Sequence, residues 1–167
     1  RLQHNLITPE GFATIAASIA DHQHLEKIVI DQNNVSSVGA EAFAQALESN
    51  PMVYDLTISR SDIRNEGAAA ISELIRVNTR LTKLNLEMND ISTPGIVALS
   101  GALQENSALR VLHLGVNPIF PAGAAHLAKM LKKNTGLYSL NVRYSGLQDS
   151  GVVSLAGALQ ENDVLRD

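Results

Sequence analysis

The chain has 167 residues, a quarter of them Leu or Ala, with 18% charged residues and a net charge of −4. That length buries a sizeable core in one domain, and the acidic balance argues against a nucleic-acid partner, because phosphate binding needs a cationic surplus. No run of about 18 apolar residues offers a membrane span, no charged-then-apolar leader stands at its start, and without cysteine there is no disulfide, thiolate metal site or cysteine nucleophile.

Apolar positions recur every 28 residues with no insertion or deletion, which is the signature of a stacked-repeat architecture. In chain order, a helical stretch carries Ile15 and Ile19 four residues apart on one face, and a short strand follows with alternating Ile28 and Ile30. The pair of elements returns as Phe43/Leu47 with Leu56/Ile58, Ile71/Ile75 with Leu84/Leu86, Leu99/Leu103 with Leu112/Leu114, and Leu127/Leu131 with Leu140/Val142; a last helix carries Leu155/Leu159. Units open near 25, 53, 81, 109 and 137, with a partial unit before 25 and a stub at 165–167. The whole is expected to be a single domain and a fragment of a longer array, because neither end carries the polar cap a solenoid needs. Leu2, Leu6, Ile7, Leu159 and Leu165 are therefore expected to be exposed or to mediate end-to-end self-association.

Three further columns are read from their chemistry. Gly11, Gly39, Gly67, Gly95, Gly123 and Gly151 are expected in loops just before the helices, where a positive φ or close backbone approach is cheap only for glycine. Asn50, Asn78, Asn106, Asn134 and Asn162 are expected to end the helices in the left-handed conformation. Asn5, Asn33, Asn89 and Asn117 are expected to form a ladder between loops, weaker at Ser61 and Ser145, since a hydroxyl satisfies fewer groups than an amide.

The pattern Leu-x-x-Leu-x-Leu-x-x-Asn-x-Ile, as at Leu81–Ile91 and Leu109–Ile119, resembles a leucine-rich repeat. The 28-residue period, Ala-rich helix and fixed glycine resemble the ribonuclease-inhibitor-like subclass. The resemblance implies an α/β solenoid, an αβ horseshoe with parallel strands on the concave face and helices on the convex face. It does not fix a function, since fold and site are separate matters.

No phosphate-binding loop, zinc-protease motif or nucleophile elbow is present, so no catalytic residue, metal ligand or cofactor is expected. His22 and His24 form an HxH pair without a third ligand at suitable spacing, and His22 is read as a cap of the preceding helix. Lys129, Lys132 and Lys133 are read as a solvated helix face.

Binding is expected on the concave face. Counting from each unit's opening residue, positions 2, 3, 5, 7 and 8 point away from the core, so their identities can encode a partner. All three tyrosines fall there: Tyr54, Tyr138 and Tyr144. Tyr and Arg are enriched in interface hot spots, which adds Arg60, Arg110 and Arg143. Met88, Val116 and Tyr144 are adjacent at position 8, Phe120 stands in a column that is otherwise polar, and Gly115 is expected to leave a pocket beside His113. Met88, His113, Val116, Phe120, Arg143 and Tyr144 are predicted to form one surface. Arg143 is placed to stack on Tyr144 or on a partner's ring. The function predicted is a cytoplasmic protein-recognition module within a larger sensor, scaffold or effector, with a protein on the concave face. The alternative is a GTPase activator resembling the Ran-activating leucine-rich-repeat family, with Arg60, Arg64 and Arg143 as its candidate residues.

Overall fold

A computed structural model describes residues 1–167. Six helices alternate with five strands: α1 Pro9–Ile19, β1 Lys27–Val29, α2 Ser36–Leu47, β2 Asp55–Thr57, α3 Arg64–Val77, β3 Lys83–Asn85, α4 Thr93–Leu103, β4 Val111–His113, α5 Phe120–Leu131, β5 Ser139–Asn141 and α6 Gln148–Leu159. The strands form one sheet in sequence order, every pair parallel. The sequence period becomes the sheet register: Ile28 faces Leu56, which faces Leu84, which faces Leu112 and then Leu140. The Leu2 amide donates to the Val29 carbonyl at 2.9 Å and the Arg166 amide to the Tyr138 carbonyl at 2.8 Å, so the same rungs extend on either side of the sheet.

The curvature follows from two incompatible spacings. Paired strands lie about 4.8 Å apart, whereas packed helices need about 8–10 Å. One strand and one helix per repeat can satisfy both only on an arc with the strands inside, and the chain forms such a curved, open solenoid. No helix is long and apolar enough to cross a membrane.

The core lies between sheet and helices. Leu56, Ile58, Ile63, Ile71 and Leu74 are fully buried, as are their equivalents in the next two repeats. The aromatics Phe12 and Phe43 pack ring to ring near α1 and α2, centroids 6.0 Å apart. At the outer repeats the pattern thins: Leu159 is half exposed where its equivalents Leu103 and Leu131 are buried, and Leu6 is 91% exposed. Leu2, Ile7 and Leu165 are partly buried.

Two backbone expectations are corrected. The six repeated glycines lie inside the first turn of each helix, not in the preceding loop, and none has a positive φ. Their role is close approach. A Cβ on Gly39, Gly67 or Gly123 would stand 2.7 Å from the side chain of Val35, Ile63 or Ile119, the buried loop residue four positions earlier. The asparagines after the helices are not left-handed either. Each is a side-chain bridge. Asn134 donates from Nδ2 to the Leu103 carbonyl at 2.6 Å, and its Oδ1 accepts the amides of Gly136 and Leu137. Asn50, Asn78, Asn106 and Asn162 repeat the arrangement. In the first repeat the His22 imidazole takes over the acceptor role, Nδ1 receiving the amides of His24 and Leu25. His22 therefore caps its own loop rather than the helix before it.

The second ladder runs through the loops after the strands. Asn117 accepts the amides of Asn89 and Ile91 and donates to the carbonyls of Leu86 and Leu114. Ser61 and Ser145 donate only, to carbonyls in their own loop and, for Ser61, to Ile30 at 3.5 Å. The ladder is weaker there for the reason anticipated: a hydroxyl is too short to receive the neighbouring amides.

The small residue on the buried helix face is Ala or Ser. Ser72 donates to the Ala69 carbonyl at 2.6 Å, but the buried Ser100 hydroxyl has no partner. Ser100→Ala is expected to raise the unfolding free energy by about 1 kcal/mol, since a buried unsatisfied hydroxyl costs roughly that much. Urea denaturation checks it, and a loss of stability would contradict it.

Candidate protein-binding face

Positions 3, 5 and 7 alternate with the core residues and so form the floor of the concave side. Their side chains bond along the solenoid from repeat to repeat. Lys27 Nζ meets Asp55 Oδ2 at 2.6 Å, and Ser59 Oγ donates to Asp31 Oδ1 at 2.7 Å. Arg143 Nη2 reaches Glu87 Oε2 at 3.1 Å, two repeats away. Asn141 donates to the other oxygen of Glu87 at 3.2 Å and lies 3.4 Å from His113 Nδ1. Partly exposed ion pairs of this kind are worth about 1 kcal/mol or less. What they fix is orientation: a row of polar groups is ordered before any partner arrives, lowering the ordering cost of association.

Gly115 makes the longest of these links possible. A Cβ there would sit 2.7 Å from Arg143 Cγ and 2.8 Å from Glu87 Oε1. The expected pocket is thus filled by the protein's own ion pair, and the Arg143 guanidinium turns to Glu87 rather than to the ring of Tyr144.

Position 8 forms a rim at the C-terminal ends of the strands. Arg60, Met88, Val116 and Tyr144 all adopt a left-handed backbone, with φ of 51°, 54°, 58° and 51°. For residues other than glycine this conformation costs roughly 1–2 kcal/mol each, most for β-branched Val116. Tyr144 is 87% exposed and Met88 37%. Arg60 Nε approaches Met88 Sδ at 2.9 Å. Phe120, also left-handed and half exposed, lays its ring on Gly146 of the next loop: a Cβ at Gly146 would be 2.9 Å from Phe120 Cδ1. Its amide donates to the Ser145 carbonyl, tying it to the same rim.

Position 2 forms the opposite rim. Tyr54, Arg110 and Tyr138 are exposed there, linked through backbone bonds by way of Thr82, and Arg110 Nη1 donates to the Gly136 carbonyl at 2.8 Å. Six residues of extended chain, about 20 Å, separate the two rims.

With this geometry in place, comparisons with known proteins become informative. The leucine-rich-repeat family profile matches residues 21–44, 77–100 and 133–156, stretches two periods apart. Those three stretches are leucine-rich repeats. A search of curated protein sequences returns no match. Among solved structures, the repeats resemble leiomodin-1 actin-binding site 2 at 23% identity and TM-score 0.76, over 90% of this chain and 87% of that one. They also resemble the tropomodulin C-terminal domain of Caenorhabditis elegans at 15% identity and TM-score 0.72, over 93% of each chain. Both are likenesses of fold.

Within the leucine-rich-repeat frame, the residues singled out from the sequence fall on three lines. Met88, Val116, Phe120, Tyr144 and Arg60 share the C-terminal rim; His113 and Arg143 belong to the floor; Tyr54, Arg110 and Tyr138 occupy the N-terminal rim. Of the arginines weighed for GTPase activation, Arg64 is held by two hydrogen bonds to Asp62, both 2.9 Å, which push its pKa further up, and Arg143 is taken by Glu87. No group of three or more His, Asp or Glu residues is arranged to hold a metal ion. Glu87, Asn141, Asp31 and Asp55 shape the floor without having been singled out. The signal for Glu87 was present: opposite charges at position 7 of alternate repeats, with Gly115 between them.

Proposed function

We propose that this leucine-rich-repeat chain is a cytoplasmic protein-recognition module, part of a larger scaffold or effector, that holds a protein partner on its concave side. The observation that carries the reading is the contrast between columns. The repeated apolar columns of the inner repeats are spent on the core, while all three tyrosines, Met88 and Phe120 stay exposed on or beside the strand side. Around them lies a polar floor already ordered by its own hydrogen bonds.

The resemblance to leiomodin-1 actin-binding site 2 makes actin the first partner to test. Binding of the chain to actin is measured by co-sedimentation, with three variants. Tyr144→Ala is expected to cost about 2 kcal/mol of binding, the scale of a hot-spot tyrosine, with little loss of stability because the ring is 87% exposed. Tyr54→Ala, on the other rim, is expected to cost less, and Lys132→Glu on the helix side nothing. If Tyr144→Ala binds normally while Lys132→Glu abolishes binding, the concave side is not the site. If the unaltered chain does not bind, actin is not the partner.

A further inference from the structure

We propose that the C-terminal rim is a docking stripe for one amphipathic α-helix of the partner, laid along the solenoid axis with an acidic side chain over Arg60. The proposal rests on the reading of the strand side as the partner surface and specifies what that surface takes.

Three observations lead there. First, the rim holds apolar side chains where neither folding nor solvation favours them. Met88, Val116, Phe120 and Tyr144 each occupy the left-handed region, which L-residues avoid. Burial does not compensate: Val116 is only partly buried, and the other three are exposed. A β-branched residue is the least suited of all to that backbone, and Asn or Gly would serve the turn better. The fold imposes the left-handed turn in every repeat, at polar His4 and Gln32 as well, but it does not require an apolar or β-branched side chain there, and that choice of residue points to a use outside the fold.

Second, the spacing selects the partner's secondary structure. Met88, Val116 and Tyr144 follow the ends of consecutive strands, and backbone bonds from Met88 to Gly115 and from Val116 to Arg143 carry the strand spacing of about 4.8 Å on to the rim. An α-helix along the same line presents one side chain per turn of about 5.4 Å, so residues at i, i+4 and i+7 meet the three in turn. An extended segment repeats a face only every 6.6–6.8 Å or so and falls out of step after one contact. Phe120, braced on Gly146, flanks the stripe.

Third, charge sets the direction. Arg64 and Arg143 are neutralised by Asp62 and Glu87. Arg60 makes no ion pair; its side-chain partner is Met88 Sδ. The stripe therefore ends in a cation without a counter-ion, matched by an acidic residue one turn before the helix's apolar positions.

The test uses the 167-residue chain and a synthetic peptide stapled into a helix on its far face. The peptide carries Glu at one position and Leu one, two and three turns further along one face. Binding is read by NMR from 13C-labelled methionine methyls together with 15N-labelled backbone amides. Met88 lies on the stripe, whereas Met130 is buried in the core and Met52 lies in the loop before Val53. Met88 is expected to shift saturably while Met52 and Met130 do not. Changing the peptide's Glu to Lys is expected to weaken binding about threefold, the scale of an exposed ion pair. Val116→Asn is expected to weaken it about tenfold, by loss of one apolar contact, and at the same time to raise Tm by relieving the left-handed valine. A valine kept for folding would instead lower Tm. The proposal is overturned if Met88 does not move at about 1 mM peptide, a millimolar Kd being the weakest useful contact, or if Val116→Asn binds as well as the original chain. If the peptide moves Asn85 and His113 instead, the rim stripe is wrong and the concave reading stands. If it moves only helix residues such as Lys132, both fail.

Discussion

Replacing Asn117 with alanine is expected to lower the unfolding free energy by about 4 kcal/mol. The residue is 1% exposed and its amide group joins two neighbouring repeats. Oδ1 receives the amides of Asn89 and Ile91 at 2.9 and 3.0 Å, and Nδ2 donates to the carbonyls of Leu86 and Leu114 at 2.9 and 2.8 Å. Truncation strands two donors and two acceptors in a dry interior, and each unmet group costs about 1–3 kcal/mol; some relaxation and water entry bring the sum to the lower end. Asn117→Ser is expected to lose about half as much, because Ser145 shows in the next repeat that a hydroxyl at this position still finds one loop carbonyl. Urea denaturation of both variants checks the series. A loss below about 1 kcal/mol for the alanine variant would mean that the ladder is ornamental.

Glycine-to-alanine changes inside helices should split by position. Such a change ordinarily stabilises a helix by about 0.8–1 kcal/mol. Gly157, within α6, has nothing within 4 Å of an added Cβ, so Gly157→Ala is expected to gain about that amount. Gly95 sits in the first turn of α4, where a Cβ would lie 2.6 Å from Ile91 Cγ2, 2.9 Å from Asn65 Oδ1 and 3.1 Å from Ala68 Cβ. The Asn65 oxygen is itself engaged, accepting the amides of Gly95 and Ser92, so it cannot withdraw without losing bonds. Overpacking of this kind costs about 1–3 kcal/mol, and Gly95→Ala is expected to lose about 2 kcal/mol net of the helix gain. Thermal or urea unfolding of the two variants should therefore differ by about 3 kcal/mol. Equal shifts of the same sign would show that the repeated glycines are not packing positions.

The repeat was legible because burial imposes it. A position that must meet its equivalent in the next unit, such as Leu56 against Leu84, has to be apolar every 28 residues, and the strand and helix periods within a unit follow from which side faces inward. The columns whose constraint is a neighbour's shape were harder to read. The fixed glycines signal crowding, but sequence cannot say whether a turn or a side chain causes it, and here it is mostly the loop residue four positions earlier. The asparagines after the helices could cap by backbone conformation or by side-chain reach, and only the fold shows Asn134 grasping Leu103 from the repeat before. On the concave side the sequence told which side chains leave the core, yet not how they lean. Arg143 reaching across Gly115 to Glu87 depends on rotamers and on strand separation. Nor did it show that one list of residues divides between a floor and two rims.

The two asparagine ladders flank the sheet on either side, one in the loops before the strands and one in the loops after them. Together with the rungs of the sheet they clamp the spacing of the inner surface by directional bonds, whereas neighbouring helices are spaced chiefly by side-chain packing. In the language of beams, the inextensible layer lies at the sheet, not midway through the section. Flexing the arc opens or closes the gaps between helices and leaves the intervals between strands almost unchanged. A partner gripping the inner side thus meets the same interval between residues whatever the curvature, and a ligand or load acting on the helices can alter the arc without spoiling that ruler.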